Sequence, residues 1–512
     1  MPFVNLKNQP KKTNGADNVN VSSPNTTFGE VLVANLDPIA QGDFVHGING
    51  QNFTTSSFSG GTVSHLSGAA VMESGTSASG SATIQLRRRL EYRPGQGSLM
   101  RATALFDTPD AGNAQFVGAG SAECGYFIGY FASNFGILHS ERGQREIRKL
   151  TVTTGAEDDE DVTVTLDGTS IVVNIDGGDD IHQTAYQLAN ADYSQVGKGG
   201  WLADAISGSV YFIAARSNST STGSYSVAGT SIVGSFTRTK AGEAQTNTFI
   251  TSGSFNVDKL DGTGPSGMTL NPQRGNVYQI GYQYLGYGNA FFSVEDPETG
   301  KPIPIHMIKN ANSRTTPVLK DPNLSVLATS ANIGGTTSKT LKSVSMAAFT
   351  EGAISKLDPK FAKSFTFSGV NSATYVPLAC FKADRVFDGE SSFGEFDVLR
   401  VNGSNESTAK TLTVGFFLNA EINGVVNFQE VDTSGSIVAT AALTPTGVGA
   451  NSIVNIANLA PFHEFVVGPL SAIDQNLEDI RFVFGPGQSF TIAIKTSGAI
   501  TGQVGVNWFE QQ

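Results

Sequence analysis

Short runs in which apolar and polar residues alternate dominate this chain, a pattern typical of strands with one buried face. One run covers residues 84–92 and is followed by a turn at residues 94–97 (PGQG). Two more cover residues 277–287 and 290–295, and a short turn then leads to a run at residues 302–308. The pattern therefore predicts antiparallel strands joined by tight turns, and with them a mainly β protein.

After about residue 352 the alternating pattern restarts, which indicates a second domain. Eight short candidate strands within roughly 150 residues is the strand count of a jelly roll. Residues 353–512 are therefore predicted to form a C-terminal jelly roll. The candidate strands lie at residues 363–367, 393–401, 412–418, 425–431, 462–467, 480–484, 490–494 and 504–509.

A differently patterned segment, residues 149–239, separates the two halves of the first domain. It holds the one convincing helix, residues 180–192, which Asp179 or Asp180 can cap. Its elements, strands on either side of a helix, predict a compact α+β module inserted into a loop of a sandwich made of residues 29–148 and 240–352. The module's candidate strands lie at residues 150–154, 162–166, 171–175, 210–215 and 231–237, with a tight turn at Asp167-Gly168.

Composition narrows the class of protein. The chain has 512 residues, 58 of them glycine and 33 phenylalanine, and only 15% are charged. Its net charge of −12 is the wrong sign for a nucleic-acid or anionic-membrane binder, which needs clustered Lys and Arg. Cys124 and Cys380 are the only cysteines, so a disulfide scaffold is excluded.

The N-terminal segment is predicted to be an extended arm. Residues 1–28 are polar and rich in Asn, Ser and Pro, without periodicity. They are expected either to be a disordered tail or to order against a neighbouring subunit. They contain no signal-peptide core, and no window of the sequence approaches the 18 or so apolar residues of a membrane-spanning helix. An extracellular-looking chain without an export signal is expected to leave the cell inside a virus particle released by lysis.

Candidate metal and basic sites are weak in this sequence. The six histidines are scattered, which does not support a transition-metal site. The acidic runs from Glu157 to Asp161 and from Asp176 to Asp180 offer oxygen ligands, but their spacing is not that of a calcium loop, and calcium binding stays open beside solvated turns and helix capping. The basic spot is interpreted as a salt-bridged edge strand or a subunit contact, because alternation turns one of its arginines away from the rest. Its members are Arg87, Arg88, Arg89 and Arg93.

The chain shows no catalytic signature. A G-x-S-x-G nucleophile motif does not occur, and Glu295 with Asp296, the one carboxylate pair considered for glycoside hydrolysis, is interpreted by default as a hairpin end. No catalytic residue and no cofactor are therefore predicted.

Aromatic residues are the remaining candidates for a site. Exposed tyrosines can stack on sugar rings, although burial in the core is expected for most of them. The candidate glycan contacts are Tyr282, Tyr284 and Tyr287, which lie along one strand. A second crowded group comprises Tyr126, Phe127, Tyr130, Phe131 and Phe135.

Two resemblances follow from these patterns. The strand blocks of the first domain are similar to laminin-G or concanavalin-like jelly rolls. The chain also resembles glycine-rich virion proteins of tailed phages and large aquatic DNA viruses over about residues 30–512. The segments that carry this resemblance are residues 92–97 (YRPGQG), 145–155 (REIRKLTVTTG), 260–270 (LDGTGPSGMTL), 276–284 (NVYQIGYQY), 305–312 (IHMIKNAN) and 485–494 (GPGQSFTIAI).

The resemblance implies a non-enzymatic structural protein on a virion, in a tail, fibre or capsid vertex. Such a chain is expected to form a homo-oligomer, with a trimer as the first expectation, and to contact other virion proteins and host surface glycans. Neither nucleic acid nor membrane is an expected partner. The alternative functions are a carbohydrate-binding receptor module and, third, a glycan depolymerase.

Overall fold

The computed structural model describes residues 35–121, 124–141, 143–196, 200–217, 220–352, 360–392, 394–424, 426–432, 435–447, 449–454, 456, 459–477 and 482–511. The predicted arm, residues 1–28, lies outside the described residues. Among these described residues 54% are in strands and 3% in helices, and the strand pairs are antiparallel, so the mainly β prediction is confirmed.

The first sandwich is built from two stretches of chain on either side of an insertion. Its strands before the insertion are β1 Leu36–Asp43, β2 Phe53–Phe58, β3 Thr62–Leu66, β4 Ala69–Glu73, β5 Ser81–Leu86, β6 Ser98–Ala104, β7 Asn113–Gly120, β8 Gly125–Phe131 and β9 Asn134–Glu141. Those after it are β17 Thr246–Thr251, β18 Asn276–Tyr282, β19 Ala290–Glu295, β20 Pro302–Ile308, β21 Ser325–Asn332, β22 Thr340–Ser343 and β23 Ser345–Glu351.

Two sheets enclose the core of this sandwich. The six-stranded sheet has the order β1-β23-β6-β18-β19-β20, and the seven-stranded sheet has the order β17-β9-β8-β7-β21-β5-β2. Ile84, Val117 and Ile128 of the seven-stranded sheet share one buried cluster with Ile280 of the six-stranded sheet. The ring of Tyr126 in β8 lies 6.3 Å from a phenylalanine ring in β19, so the two sheets meet face to face.

The inserted segment folds around its own core. Its elements are β10 Ile147–Thr154, β11 Glu160–Leu166, β12 Thr169–Ile175, α1 Ile181–Asn190, β13 Trp201–Ile206, β14 Ser209–Ala214, β15 Ser226–Ala228 and β16 Val233–Lys240. They form a four-stranded sheet, β13-β14-β10-β16, and a three-stranded sheet, β12-β11-β15.

Local chemistry explains the helix and the hairpin of the insertion. The Asp180 carboxylate accepts hydrogen bonds from the backbone N–H groups of His182 and Gln183, and the Gln183 side chain accepts one from the Asp180 N–H. This capping box fixes the start of α1 close to the predicted position. Asp167 and Gly168 both have positive φ, 52° and 78°, the backbone of a two-residue turn that joins β11 to β12.

The C-terminal part is a second sandwich. Its strands are β24 Lys360–Val370, β25 Val376–Ala383, β26 Val386–Phe387, β27 Glu390–Ser391, β28 Glu395–Asn405, β29 Leu412–Leu418, β30 Ile422–Asn423, β31 Gln429–Glu430, β32 Val438–Ala442, β33 Ser452–Ile453, β34 His463–Val467, β35 Ser471–Asn476, β36 Phe482–Phe484, β37 Ser489–Thr496 and β38 Ile500–Gln511. The larger sheet has the order β31-β32-β25-β37-β29-β34, and the other has the order β24-β38-β28-β35, with β36 also paired to β28. The rings of Phe381 and Trp508 lie 5.4 Å apart between the two sheets.

Strand β25 was missed by the pattern for a physical reason. It lies between β32 and β37, and seven of its eight residues are buried. Phe381 packs into the core between the sheets, while Cys380 packs into a second cluster on the outer side. A strand covered on both faces shows no alternation, which is the property on which the prediction relied.

Candidate functional site

The three tyrosines proposed as glycan contacts do not share one exposed surface. Tyr282 is 5% exposed, and its hydroxyl donates a hydrogen bond to the carbonyl of Pro322 at 3.2 Å. Tyr284 is half-buried, donates to the carbonyl of Leu319 and packs edge-on against Tyr92. Tyr287 is 42% exposed. Only Tyr287 therefore presents a largely open ring, and the prediction of glycan contact at these tyrosines remains a prediction.

The second aromatic group divides between the two faces of strand β8. Tyr126 and Tyr130 point into the sandwich core, whereas Phe127 and Phe131 point out of it. Because side chains alternate along a strand, the CGYFIGYF segment supplies the core and the outer surface at once. Phe135 packs against the core from β9.

Strand register brings the outward phenylalanines together on the seven-stranded sheet, with Phe127 and Phe249 in one row of facing residues. Leu138 lies opposite Phe249 on one side and opposite Phe127 on the other. Phe116 approaches Phe127 to 6.2 Å and Phe249 to 6.4 Å, and Phe131 lies 5.6 Å from Phe249, measured between ring centroids. We call Phe116, Phe127, Phe131 and Phe249 the aromatic face. Phe131 is 42% exposed, so the face is open to solvent at least at that end.

Glycines allow the central ring to lie close against the sheet. A Cβ atom added at Gly120 would lie 2.2 Å from the Phe127 ring, and one at Gly125 or Gly118 would lie 2.6 or 2.8 Å from it. A larger residue at Gly120 would displace that ring, whereas at Gly118 and Gly125 it would also meet backbone atoms of β7 and β8 at 2.2–2.7 Å. The glycine-rich sequence of β7 and β8 therefore has a specific role here, which is to accommodate an aromatic plate on the outer surface.

The same sheet face continues into a polar half. Leu327 and Gln85 follow Gly118 in the row, and Thr54 completes it on β2. Beside them, the hydroxyl groups of Thr83 and Thr329 lie 2.7 Å apart. We call Thr54, Thr83, Gln85 and Thr329 the hydroxyl strip. An apolar plate beside hydroxyl and amide groups matches a sugar, which has an apolar C–H surface and a rim of hydroxyl groups.

The insertion approaches this surface at its polar end. Arg216, which follows β14, donates a hydrogen bond to the Ser81 hydroxyl at 3.4 Å, and its guanidinium lies 5.8 Å from the Phe58 ring. Ser81 and Phe58 are paired residues of β5 and β2. The module therefore borders the sheet face that carries the aromatic face and the hydroxyl strip.

A buried polar cluster lies on the inner side of the same strands. The ring of His139 stacks on Tyr126 at 4.8 Å, and its Nδ1 lies 3.2 Å from a carboxylate oxygen of Glu141. Arg314, from the loop after β20, forms a two-point ion pair with Glu141. Burial lowers the pKa of His139 to about 4, with the neighbouring Glu141 opposing that shift, so the imidazole is neutral near pH 7.

The four arginines after β5 are salt-bridged or hydrogen-bonded, but the expected edge strand is wrong. β5 pairs with β2 on one side and with β21 on the other, so it is internal to its sheet. Arg89 lies 3.7 Å from Asp321 and 3.6 Å from Glu395 of the second sandwich. Burial raises the pKa of Glu395 to about 8 despite the attraction of Arg89, so this carboxyl is largely protonated at neutral pH.

The two acidic runs meet in the structure. The Asp159 carboxylate accepts a hydrogen bond from the Gly177 N–H at 2.7 Å, and Asp180 caps α1. Within the described part of the chain, no group of three or more His, Cys, Asp or Glu is placed to hold a metal ion. The carboxylate of Asp296 accepts hydrogen bonds from Glu298 N–H and the Thr299 hydroxyl inside its own turn, the arrangement of a hairpin end.

Both cysteines are buried free thiols. Burial raises the pKa of each to about 12, so neither is an activated nucleophile. Among the described residues, no helix has the length and apolar character needed to cross a membrane.

The sequence matches no protein-family model and no curated protein. Among solved structures, the metal-free Emp46p carbohydrate recognition domain is 9% identical, with 61% of this chain and 96% of that chain covered and a TM-score of 0.23. A legume lectin-like domain from Entamoeba histolytica is 11% identical, with coverages of 58% and 89% and a TM-score of 0.24. A glycosyl hydrolase family protein from Mycobacterium fortuitum is 10% identical, with coverages of 62% and 100% and a TM-score of 0.27. TM-scores this low do not identify a shared fold, so the fold class rests on the sheets themselves.

Proposed function

We propose that this protein is a non-catalytic glycan-binding protein whose first sandwich holds a neutral sugar chain on the outer side of its seven-stranded sheet. The observation that carries the proposal is the aromatic face beside the hydroxyl strip on one continuous sheet. Phe127 and Phe131 supply plates for the apolar side of a sugar ring. Thr83 and Gln85 supply donors and acceptors for its hydroxyl groups.

The chemistry of these positions supports binding rather than hydrolysis. Glycoside hydrolysis uses two carboxyl groups about 5–10 Å apart across the scissile bond. The central row across the sheet is instead Phe249, Leu138, Phe127, Gly118, Leu327, Gln85 and Thr54. Neutral side chains of this kind also favour a neutral glycan over a sulfated or uronic-acid one.

The test is a calorimetric titration with neutral oligosaccharides of glucose, mannose, galactose and xylose. Replacing Phe127 and Phe131 together by alanine is expected to weaken binding at least about tenfold, because each stacked ring contributes about 1 kcal/mol. Phe349→Ala is the matched control, because this partly buried phenylalanine lies in β23 of the other sheet. Equal affinity and equal stoichiometry in the double variant and the wild type would refute the proposal, and release of reducing ends would favour a depolymerase.

A place on the surface of a virus particle is the second part of the proposal. The resemblance to glycine-rich virion proteins supports it. Within the chain, buried charged contacts join neighbouring folded units. Lys382 of the second sandwich forms a buried ion pair with Asp204 of the inserted module, and its ammonium lies 4.4 Å from the Phe428 ring. The expected results are a homo-oligomer in sedimentation and antibody labelling of intact particles. A monomer that is never found with particles would contradict this part.

A further inference from the structure

The outer face of the smaller sheet in the C-terminal sandwich carries a polar depression of about 440 Å³. It is formed on the adjacent strands β28, β35 and β38 by Asn402, Gln503, Asn507, Arg400 and Asp474, among others, and we call it the amide depression. This volume lies within the range of about 300–1,000 Å³ typical of small-molecule sites.

Strand register explains why the amides converge. Gly505 of β38 lies opposite Asn402 of β28, and its neighbours two residues away are Gln503 and Asn507. A Cβ atom at Gly505 would lie 2.7 Å from the amide oxygen of Asn402, so the glycine leaves space for the Asn402 side chain to pack over it against the sheet. The intervening residues, such as Val506, point the other way into the core. The amides therefore project from central, well-anchored strands rather than from loops.

The hydrogen-bonding capacity of these amides is unused within the protein. Among the described residues, the side chains of Asn402, Gln503 and Asn507 make no hydrogen bond to another protein group, and all three are partly exposed. Each amide offers one acceptor and two donors. The charged members of the depression neutralise each other, because Arg400 Nη1 lies 3.1 Å from Asp474 Oδ2.

We propose that the amide depression is a second binding site for a neutral oligosaccharide, separate from the aromatic face. Amides pair with adjacent sugar hydroxyl groups because both partners donate and accept hydrogen bonds, and the paired charges leave no preference for an ionic ligand. A ligand of two or three sugar units fits the volume. Two sites on one chain would let a long glycan bind at both, which raises its overall affinity.

The experiment compares five proteins by calorimetry against the same panel of neutral glucose, mannose, galactose and xylose oligosaccharides. Four of them are the wild type, the aromatic-face variant (Phe127→Ala with Phe131→Ala), the amide variant (Asn402→Ala with Gln503→Ala) and the control Gln429→Ala, an exposed amide on the other sheet. A fifth protein combines the aromatic-face and amide substitutions. The aromatic-face variant is expected to keep one binding site. Adding the amide substitutions to it is expected to weaken that remaining binding at least about tenfold.

Each outcome separates this site from the first one. Binding that survives in the aromatic-face variant and disappears with the amide substitutions supports the second site, even where the first proposal fails. Wild-type stoichiometry and affinity in the amide variant would overturn it, as would no saturable binding by the wild-type protein across the panel. A change of oligomeric state in the amide variant, seen by sedimentation without a change in sugar binding, would assign the depression to subunit contact and also overturn the proposal.

Discussion

Replacing His139 by phenylalanine should remove a specific part of the pH dependence of folding. His139 is 2% exposed and stacks on Tyr126 inside the first sandwich. The charged groups that face it are Glu141, at 3.2 Å, and Arg314, which is paired with Glu141. A phenylalanine keeps an aromatic ring against Tyr126 and cannot take up a proton.

The magnitude follows from the shift in pKa between the folded and unfolded chains. The imidazole has a pKa of 6.5 in the unfolded chain and about 4 in the folded one. Between these values the unfolded chain binds a proton that the folded chain does not, so acidification favours unfolding. From pH 7.5 to pH 4.5, His139 alone should lower the free energy of unfolding by about 2.5 kcal/mol. Above pH 7.5 the contribution is constant.

Other buried groups act in the opposite sense and are shared by both proteins. Burial raises the pKa of Asp384 well above its ordinary value and that of Glu395 to about 8. These carboxyl groups stay protonated to higher pH in the folded chain than in the unfolded chain, so they lower the free energy of unfolding as the pH rises. Subtracting the variant from the wild type removes these terms and leaves the contribution of His139.

Urea unfolding at pH 7.5 and pH 4.5, followed by far-ultraviolet circular dichroism, is the assay, because both tryptophans lie outside the first sandwich, in β13 and β38. The wild type should lose about 2.5 kcal/mol more than the His139→Phe protein between the two pH values. His46→Gln, a substitution at an exposed histidine, should behave like the wild type. Equal losses in the wild type and in His139→Phe would refute a neutral, buried imidazole at this position.

Three further predictions concern separate parts of the molecule. Gly120→Ala should displace the Phe127 ring and weaken sugar binding about tenfold in calorimetry, while unfolding free energy changes by about 1 kcal/mol or less; unchanged affinity would contradict the role of the glycine. Lys382→Met should cost about 3 kcal/mol in urea unfolding by leaving Asp204 buried and unpaired, and adding Asp204→Asn should restore most of it. Asp180→Ala should lower the unfolding free energy by about 1 kcal/mol by removing the cap of α1, which thermal unfolding would show as a lower melting temperature. An unchanged melting temperature would contradict the role of the cap.

Elements fixed by local chemistry were predictable from the sequence. The helix begins where a capping aspartate precedes an apolar face, and the strands β19 and β20 lie at the predicted residues, on either side of the turn segment PETG. The Asp167-Gly168 hairpin also follows from its dipeptide, since both residues adopt positive φ. In each case the signal is contained in a few neighbouring residues.

Elements that depend on distant contacts were not predictable. β25 lacks alternation because sheet neighbours and packing cover both of its faces. The internal position of β5 depends on β21, more than 230 residues away along the chain. Whether a strand lies at the edge or in the middle of a sheet is decided by the assembled sheet, so the sequence of the strand itself does not indicate it.

The candidate site was predictable only in part. Phe127 and Phe131 belong to a group recognised as crowded, and strict alternation in β8 already separates them from Tyr126 and Tyr130. Phe249 could not be added, because it reaches the aromatic face through the pairing of β17 with β9 across the inserted module. The amide depression likewise joins residues about 100 positions apart in the sequence. Long-range strand register assembles both surfaces.

The most direct test of the central claim is a crystal structure of the full chain with a bound neutral oligosaccharide. The account predicts successive sugar units of one chain packed against Phe127 and Phe131, with the chain continuing toward Thr83 and Gln85. Contacts of about 4 Å between sugar carbons and the phenylalanine rings would show the predicted stacking. A structure in which the sugar binds elsewhere and leaves the aromatic face empty would contradict it.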